Sequence, residues 1–199
     1  LFESIDMPVG PGTAFSCHTL AIHERKILMP TNAFIDGFHH EIQNRAFALR
    51  AIGRLAGRLD GDPRQRLWAA YLKLEVFNAP IYHAAATRWG VDASPRLTTR
   101  VKAWVVSSVP RCLLKPFLKY VCAQTVVYCE TLRRLRDIGP SDARAFLDYM
   151  VDQEAFQIDM MKRSLNGDDA VLASRIDAFI HQHEIIASDT EINNQNQRA

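Results

Sequence analysis

The chain is poor in the features that usually announce a chemistry. Its four cysteines, Cys17, Cys112, Cys122 and Cys129, form no C-x-x-C pair, so no zinc-ribbon or thioredoxin-type motif is present. Cys122 and Cys129 are seven residues apart, two turns along a helix, which is a poor geometry for a disulfide. Reduced, packing cysteines are expected. No H-E-x-x-H occurs, and Gly10-Pro11-Gly12 lacks the lysine and the strand pattern of a phosphate loop. No apolar run approaches the ~20 residues that span a bilayer; the uncharged stretch Tyr120 to Cys129 is far shorter. No signal-peptide pattern opens the chain, and a soluble, cytoplasmic protein is expected. Charge of one sign is also missing: 24 basic residues against 22 acidic ones leave +2, so the molecule as a whole is not a polycation. No segment alternates with period two, which argues against sheets.

What is there is helical. With 199 residues, 48% apolar, the chain suffices for one domain with a sizeable core. Residues 1–13 read as an irregular arm, followed by a short helix from Ser16 to about Met29 that Pro30 ends. A long helix over about 31–59 carries Phe34, Phe38, Ala48, Ile52, Leu55 and Leu59, and Asp60-Gly61-Asp62-Pro63 stops it. A second, about 64–89, carries Trp68, Tyr71, Leu72, Ala79, Tyr82 and Ala86, with a kink expected at Pro80. A shorter helix within 96–109 carries Leu97, Val101, Trp104 and Val105. The third long helix, about 111–137, has the stripe Phe117, Val121, Gln124, Tyr128, Leu132 and Leu135. The fourth, about 141–165, is capped by Ser141 or Asp142 and carries Phe146, Leu147, Met150, Ile158, Met161 and Leu165 inward. A last amphipathic helix spans about 168–185, and residues 186–199 read as a polar, disordered tail. The expected fold is all-α: a four-helix bundle in a single domain, 1–185, with short accessory helices at both ends.

Three acids break the apolar stripes. Glu75 points with Tyr71, Leu72, Ala79 and Tyr82; Glu154 points with Met150, Ile158 and Met161; Glu41 lies between Phe38 and Ala48. Glu75 and Glu154 have no Lys or Arg three or four residues away, and each has an amide three residues on, Asn78 and Gln157. A carboxylate on a buried seam without a local counter-ion is costly, so a metal, a cross-bundle cation or a shared proton must answer it. If buried and unpaired, these groups have raised pKa values and become candidates for acid–base work.

Inward glutamates near the middle of three of four long helices resemble the ferritin-like di-iron carboxylate bundles. In that family two helices each supply one Glu and two more each supply Glu-x-x-His. The resemblance covers about residues 31–165 and implies Glu41, Glu75 and Glu154 as ligands of iron or manganese in a non-haem metal oxidoreductase. This sequence departs from the pattern: both histidine positions are amides, Asn78 and Gln157, and the third long helix offers Gln124. Glu130, the nearest acid there, has Arg133 and Arg134 three and four residues on, as a surface ion pair would. Arg45, four residues after Glu41, is also inward and would repel a metal. The alternative is therefore a buried polar network, with Arg45 pairing Glu41 locally and Glu75 or Glu154 across the bundle, completed by Asn78, Gln124 and Gln157.

The seven histidines suggest surface or packing roles; His39 and His40 point about 100° apart. Between Arg96 and Arg136 nine basic residues meet one acid, Glu130, and Arg111, Lys115 and Lys119 recur every four residues. With Arg133 and Arg134 they form a basic surface able to attract nucleic acid or an anionic membrane. The reading as a whole is a binding or interaction protein with a degenerate carboxylate centre and no favoured cofactor, expected as a homodimer, with the metal enzyme and the anionic-surface binder as alternatives.

Overall fold

The computed structural model describes the backbone of residues 30–196 and the side chains of residues 30–184. Cys17, His18, His23, the arm and the helix expected before Pro30 lie outside the described residues. The described chain is all-α, with six α-helices: α1 (Asn32–Arg58), α2 (Gln65–Arg88), α3 (Leu97–Ser107), α4 (Leu114–Asp137), α5 (Arg144–Leu165) and α6 (Leu172–Asn196). One-turn 3₁₀ segments, Arg111–Leu113, Ser141–Ala143 and Asp169–Val171, lead into α4, α5 and α6.

Local chemistry sets the boundaries. Thr31 Oγ1 accepts from the Phe34 N–H at 3.2 Å and caps α1. Ser141 and Asp142 cap nothing. They sit in the turn before α5, where Asp142 pairs with Arg88 at 2.6 Å. Asn166-Gly167 ends α5, with Gly167 at φ 84°, a conformation that favours glycine. Pro80 does not stop α2, which continues to Arg88; its ring lies on the exposed face, where the lost backbone donor costs least.

Consecutive long helices pack as neighbours: α1 along α2, and α4 along α5. Direct contact between these pairs is sparser, while α3 lies along α1 and α6 along α2. Phe34, Phe38, Trp89 and Phe146 close one end of the core, meeting mostly edge to face. The last helix is no short accessory. It runs to Asn196, past the end expected near residue 185 and through most of the stretch expected as a tail. Phe179 stacks on Phe156, and Leu172 and Ile176 are fully buried. That extra wall widens the buried arc of α5 on the side of Phe156 to include Tyr149, Gln153 and Met160.

Two stripes are rotated from expectation. The buried residues in the first half of α4 are Leu114, Leu118 and Cys122, one position on from the expected set, and Gln124 is exposed. One residue is about 100° of rotation, and sparse contact with α1 leaves Phe117, Val121 and Tyr128 half-buried at the seam. In α3 the large apolar residues face solvent; the buried ones are Thr99, Ala103 and Ser107. Ala79 is likewise exposed, and Cys112, unlike Cys122 and Cys129, is exposed rather than packed.

Candidate functional site

The centre is built around one guanidinium. Arg45 on α1 reaches three carboxylates from three helices: Nε is 2.9 Å from Glu41 Oε1, Nη1 is 3.0 Å from Glu75 Oε1, and Nη2 is 2.7 Å from Glu154 Oε2. The Glu41 contact is an ion pair without hydrogen-bond alignment, whereas the other two are aligned hydrogen bonds. Glu41 follows Phe38 by three residues on the core face of α1, and Arg45 follows Glu41 by four, so the helical repeat itself brings the cation to the acids. All three glutamates are buried.

Each carboxylate ends a chain of hydrogen bonds that begins at a tyrosine. Tyr128 donates directly to Glu41 Oε2 at 2.5 Å. Tyr71 donates to Gln157 Oε1 at 2.5 Å, and Gln157 Nε2 donates to Glu75 Oε1 at 2.7 Å. Tyr149 donates to Asn78 Oδ1, Asn78 Nδ2 to Gln153 Oε1 at 2.6 Å, and Gln153 Nε2 to Glu154 Oε2 at 3.3 Å. The order fixes each amide's orientation, because an amide accepts at one end and donates at the other. Tyr82 is the exception: its hydroxyl is buried and has no hydrogen-bond partner among the described residues.

The electrostatics follow from three acids sharing one cation. Burial pushes Glu154 up to about 7, against the pull of Arg45 and with help from Glu41 and Glu75. Burial also raises Glu75, again opposed by Arg45. Burial works against the charge on Arg45, yet Glu41, Glu154 and Glu75 together hold its pKa well above the ordinary arginine value. The Tyr71 and Tyr128 hydroxyls are raised by burial and then by the facing carboxylates, so both stay protonated and donate.

Of the residues expected at this centre, Glu41, Arg45, Glu75, Asn78, Glu154 and Gln157 come together. Gln124 does not: it is exposed on α4, which instead contributes Tyr128 one turn on. Gln153 and the tyrosine donors were not among the expected site residues. Tyr149, Gln153 and Gln157 recur every four residues, a polar stripe on one face of α5 that could have revealed them. The basic residues lie apart from the centre. Lys115, Lys119 and Arg134 are exposed, Arg133 pairs with Glu130, and Arg111 donates to the Arg58 carbonyl at 3.1 Å.

These donors do not fit a resident iron or manganese pair. The space between the carboxylates is taken by a fixed cation, and Gln157 turns an N–H, not a lone pair, toward Glu75. Among the described residues no three His, Cys, Asp or Glu side chains are grouped to hold a metal ion.

A cleft of ≈ 260 Å³ opens beside the centre, between α1, α2 and the 91–95 loop. Arg45, Glu75, Asn78 and Tyr82 line its polar part, Ile42, Ala46, Leu49 and Pro95 its apolar part, and Arg50 and His83 are exposed residues at its edge. Glu75 Oε2 has no hydrogen-bond partner among the described residues. No protein-family model, curated protein or solved structure matches the chain.

Proposed function

We propose that this protein is a non-enzymatic binding protein: a helical bundle whose carboxylate centre is held by an arginine in place of metal ions, with a small-ligand site in the adjoining cleft. The simultaneous pairing of Arg45 with Glu41, Glu75 and Glu154 carries this reading. A cation fixed by three charge pairs leaves no open coordination position for a metal. A mostly apolar cleft with a few convergent polar groups is the usual form of a small-molecule site. Three carboxylates against one guanidinium favour a ligand with N–H donors, a protonated amine on a small apolar body, that meets the free oxygen of Glu75. On this reading the likeness to di-iron bundles is one of helix order and carboxylate placement, with the metal chemistry lost.

Elemental analysis of untagged protein tests it, with Fe, Mn and Zn quantified per chain before and after aerobic Fe(II) loading. Metal well below one per chain is expected. About two metals per chain, lost in Glu75→Ala and Glu154→Ala, would overturn the proposal in favour of a non-haem metal oxidoreductase using Glu41, Glu75 and Glu154. Calorimetric titration of short alkylamines, with heat abolished in Glu75→Gln, tests the ligand class.

A further inference from the structure

The helix α3 is amphipathic in the opposite sense to its neighbours. Its inward residues are small, Thr99, Ala103 and Ser107, and let its backbone lie close on α1. Its large apolar residues point away: Leu97 is 74% exposed, Val101 54%, Trp104 57% and Val105 57%. At about 100° per residue these four fall within an arc of roughly 100°, with Arg100 at one edge and Lys102 at the other. The orientation is pinned from beneath. Arg54 donates to Ser107 Oγ at 2.9 Å, and Arg58 donates to the carbonyls of Ser107 and Val109 at the C-terminal end of α3. The outward apolar face is therefore built in.

The surroundings are positive. From Ala93 to Cys129 the chain contains no Asp or Glu, while Arg96, Arg100, Lys102, Arg111, Lys115 and Lys119 fall within it. Exposed Leu113 and Tyr120 continue the apolar–basic mixture into α4. Of the large apolar residues exposed among the described residues, most lie in this acid-free stretch. A phosphate backbone alone would need donors across the whole face, not a central apolar strip. A helix that lies in a membrane interface needs an apolar strip with an interfacial tryptophan and cations at its edges that reach the headgroups. No helix among the described residues is long and apolar enough to cross a membrane, so the contact is with a surface.

We infer that the outward face of α3 docks this protein on an anionic phospholipid bilayer, with Leu97, Val101, Trp104 and Val105 entering the interface and Arg100 and Lys102 meeting lipid phosphates. The test is vesicle flotation of the full chain with phosphatidylcholine alone and with about one-third phosphatidylserine, alongside Trp104 fluorescence in a Trp68→Phe/Trp89→Phe background checked for native helicity. Binding to the anionic vesicles is expected, with a blue-shifted Trp104 emission. In otherwise wild-type protein, the exposed double change Val101→Ser/Trp104→Ser should weaken flotation by about tenfold or more, with the thermal midpoint unchanged. Absence of anionic-vesicle binding at ~0.1 M salt would overturn the inference. So would flotation that the double change leaves intact, or emission that does not shift. Loss of a dimer or of RNA retention in Val101→Ser/Trp104→Ser, without vesicle binding by the parent, would reassign the face to a second copy or to nucleic acid.

Discussion

At the scale of single residues, Arg45 is the group on which the centre depends. Removing it leaves three buried acids without a cation, and breaking a buried pair from one side costs about 3–5 kcal/mol. Arg45→Met should therefore lower unfolding free energy by about that much in denaturant titration. Replacing Glu41, Glu75 and Glu154 by Leu as well should recover much of the loss, because apolar substitutes need no counter-charge. Tyr128→Phe leaves Oε2 of the buried Glu41 without its donor and should cost about 1–3 kcal/mol by the same measurement. Glu154 sets the pH dependence. Burial raises its folded-state pKa from 4.5 to about 7, so the folded chain binds a proton that the unfolded chain has already released. Stability from this group is full below 4.5 and is lost as pH rises through about 7. Thermal midpoints of the parent should fall between pH 5 and 8, and Glu154→Gln should flatten that slope. Asp92 and Asp159, held low mainly by hydrogen bonds from Ser94 and Arg163, act in the opposite direction only under more acidic conditions.

At the scale of elements, close approaches decide what substitutions the connections accept. Gly139, between α4 and α5, has no room for a methyl group: an added Cβ would run into Leu147 and come within 2.9 Å of Phe34 Cε2. Both neighbours are fully buried, so neither can move aside cheaply. Gly139→Ala should destabilise by about 1–3 kcal/mol in the same unfolding assay. The helices themselves were legible in the sequence because turn chemistry and apolar period agreed at Thr31, Asp60-Gly61, Gly90 and Asn166-Gly167. Helix rotation was legible only where several large residues shared one direction. In α4, Phe117 and Tyr128 drew the stripe toward Gln124, whereas smaller Cys122 and Cys129 mark the face that packs against α5. Alternate packing partners likewise hid Gln153, since a stripe drawn for two neighbours is narrower than the arc α5 buries with α6 also present. The carboxylate problem at Glu75 and Glu154 could be read from their missing local cations. The reach of one arginine to all three acids could not, because it depends on how two helix pairs dock.

At the scale of the molecule, that docking joins residues 45, 75 and 154 through one guanidinium. The α1–α2 pair alone would bury two acids against one cation, so its core is completed only when α5 arrives. Unfolding followed by far-ultraviolet circular dichroism and by the emission of Trp68 and Trp89 should therefore give coincident transitions. In Arg45→Met the two signals should separate, because the buried ion pairs between the helix pairs are then gone and the Arg88–Asp142 bridge that remains is exposed and weak. The same linkage bears on descent. Loss of Arg45 strands three buried acids at once, at a cost of about 3–5 kcal/mol out of the ~5–15 kcal/mol that keeps a domain folded, whereas loss of one glutamate removes negative charge from a cluster that holds an excess of it. A single-step route away from the arrangement therefore opens at a glutamate and is closed at Arg45. Arg45 should be the last of the four positions to change, and a lineage that has lost it is expected to have lost the glutamates as well.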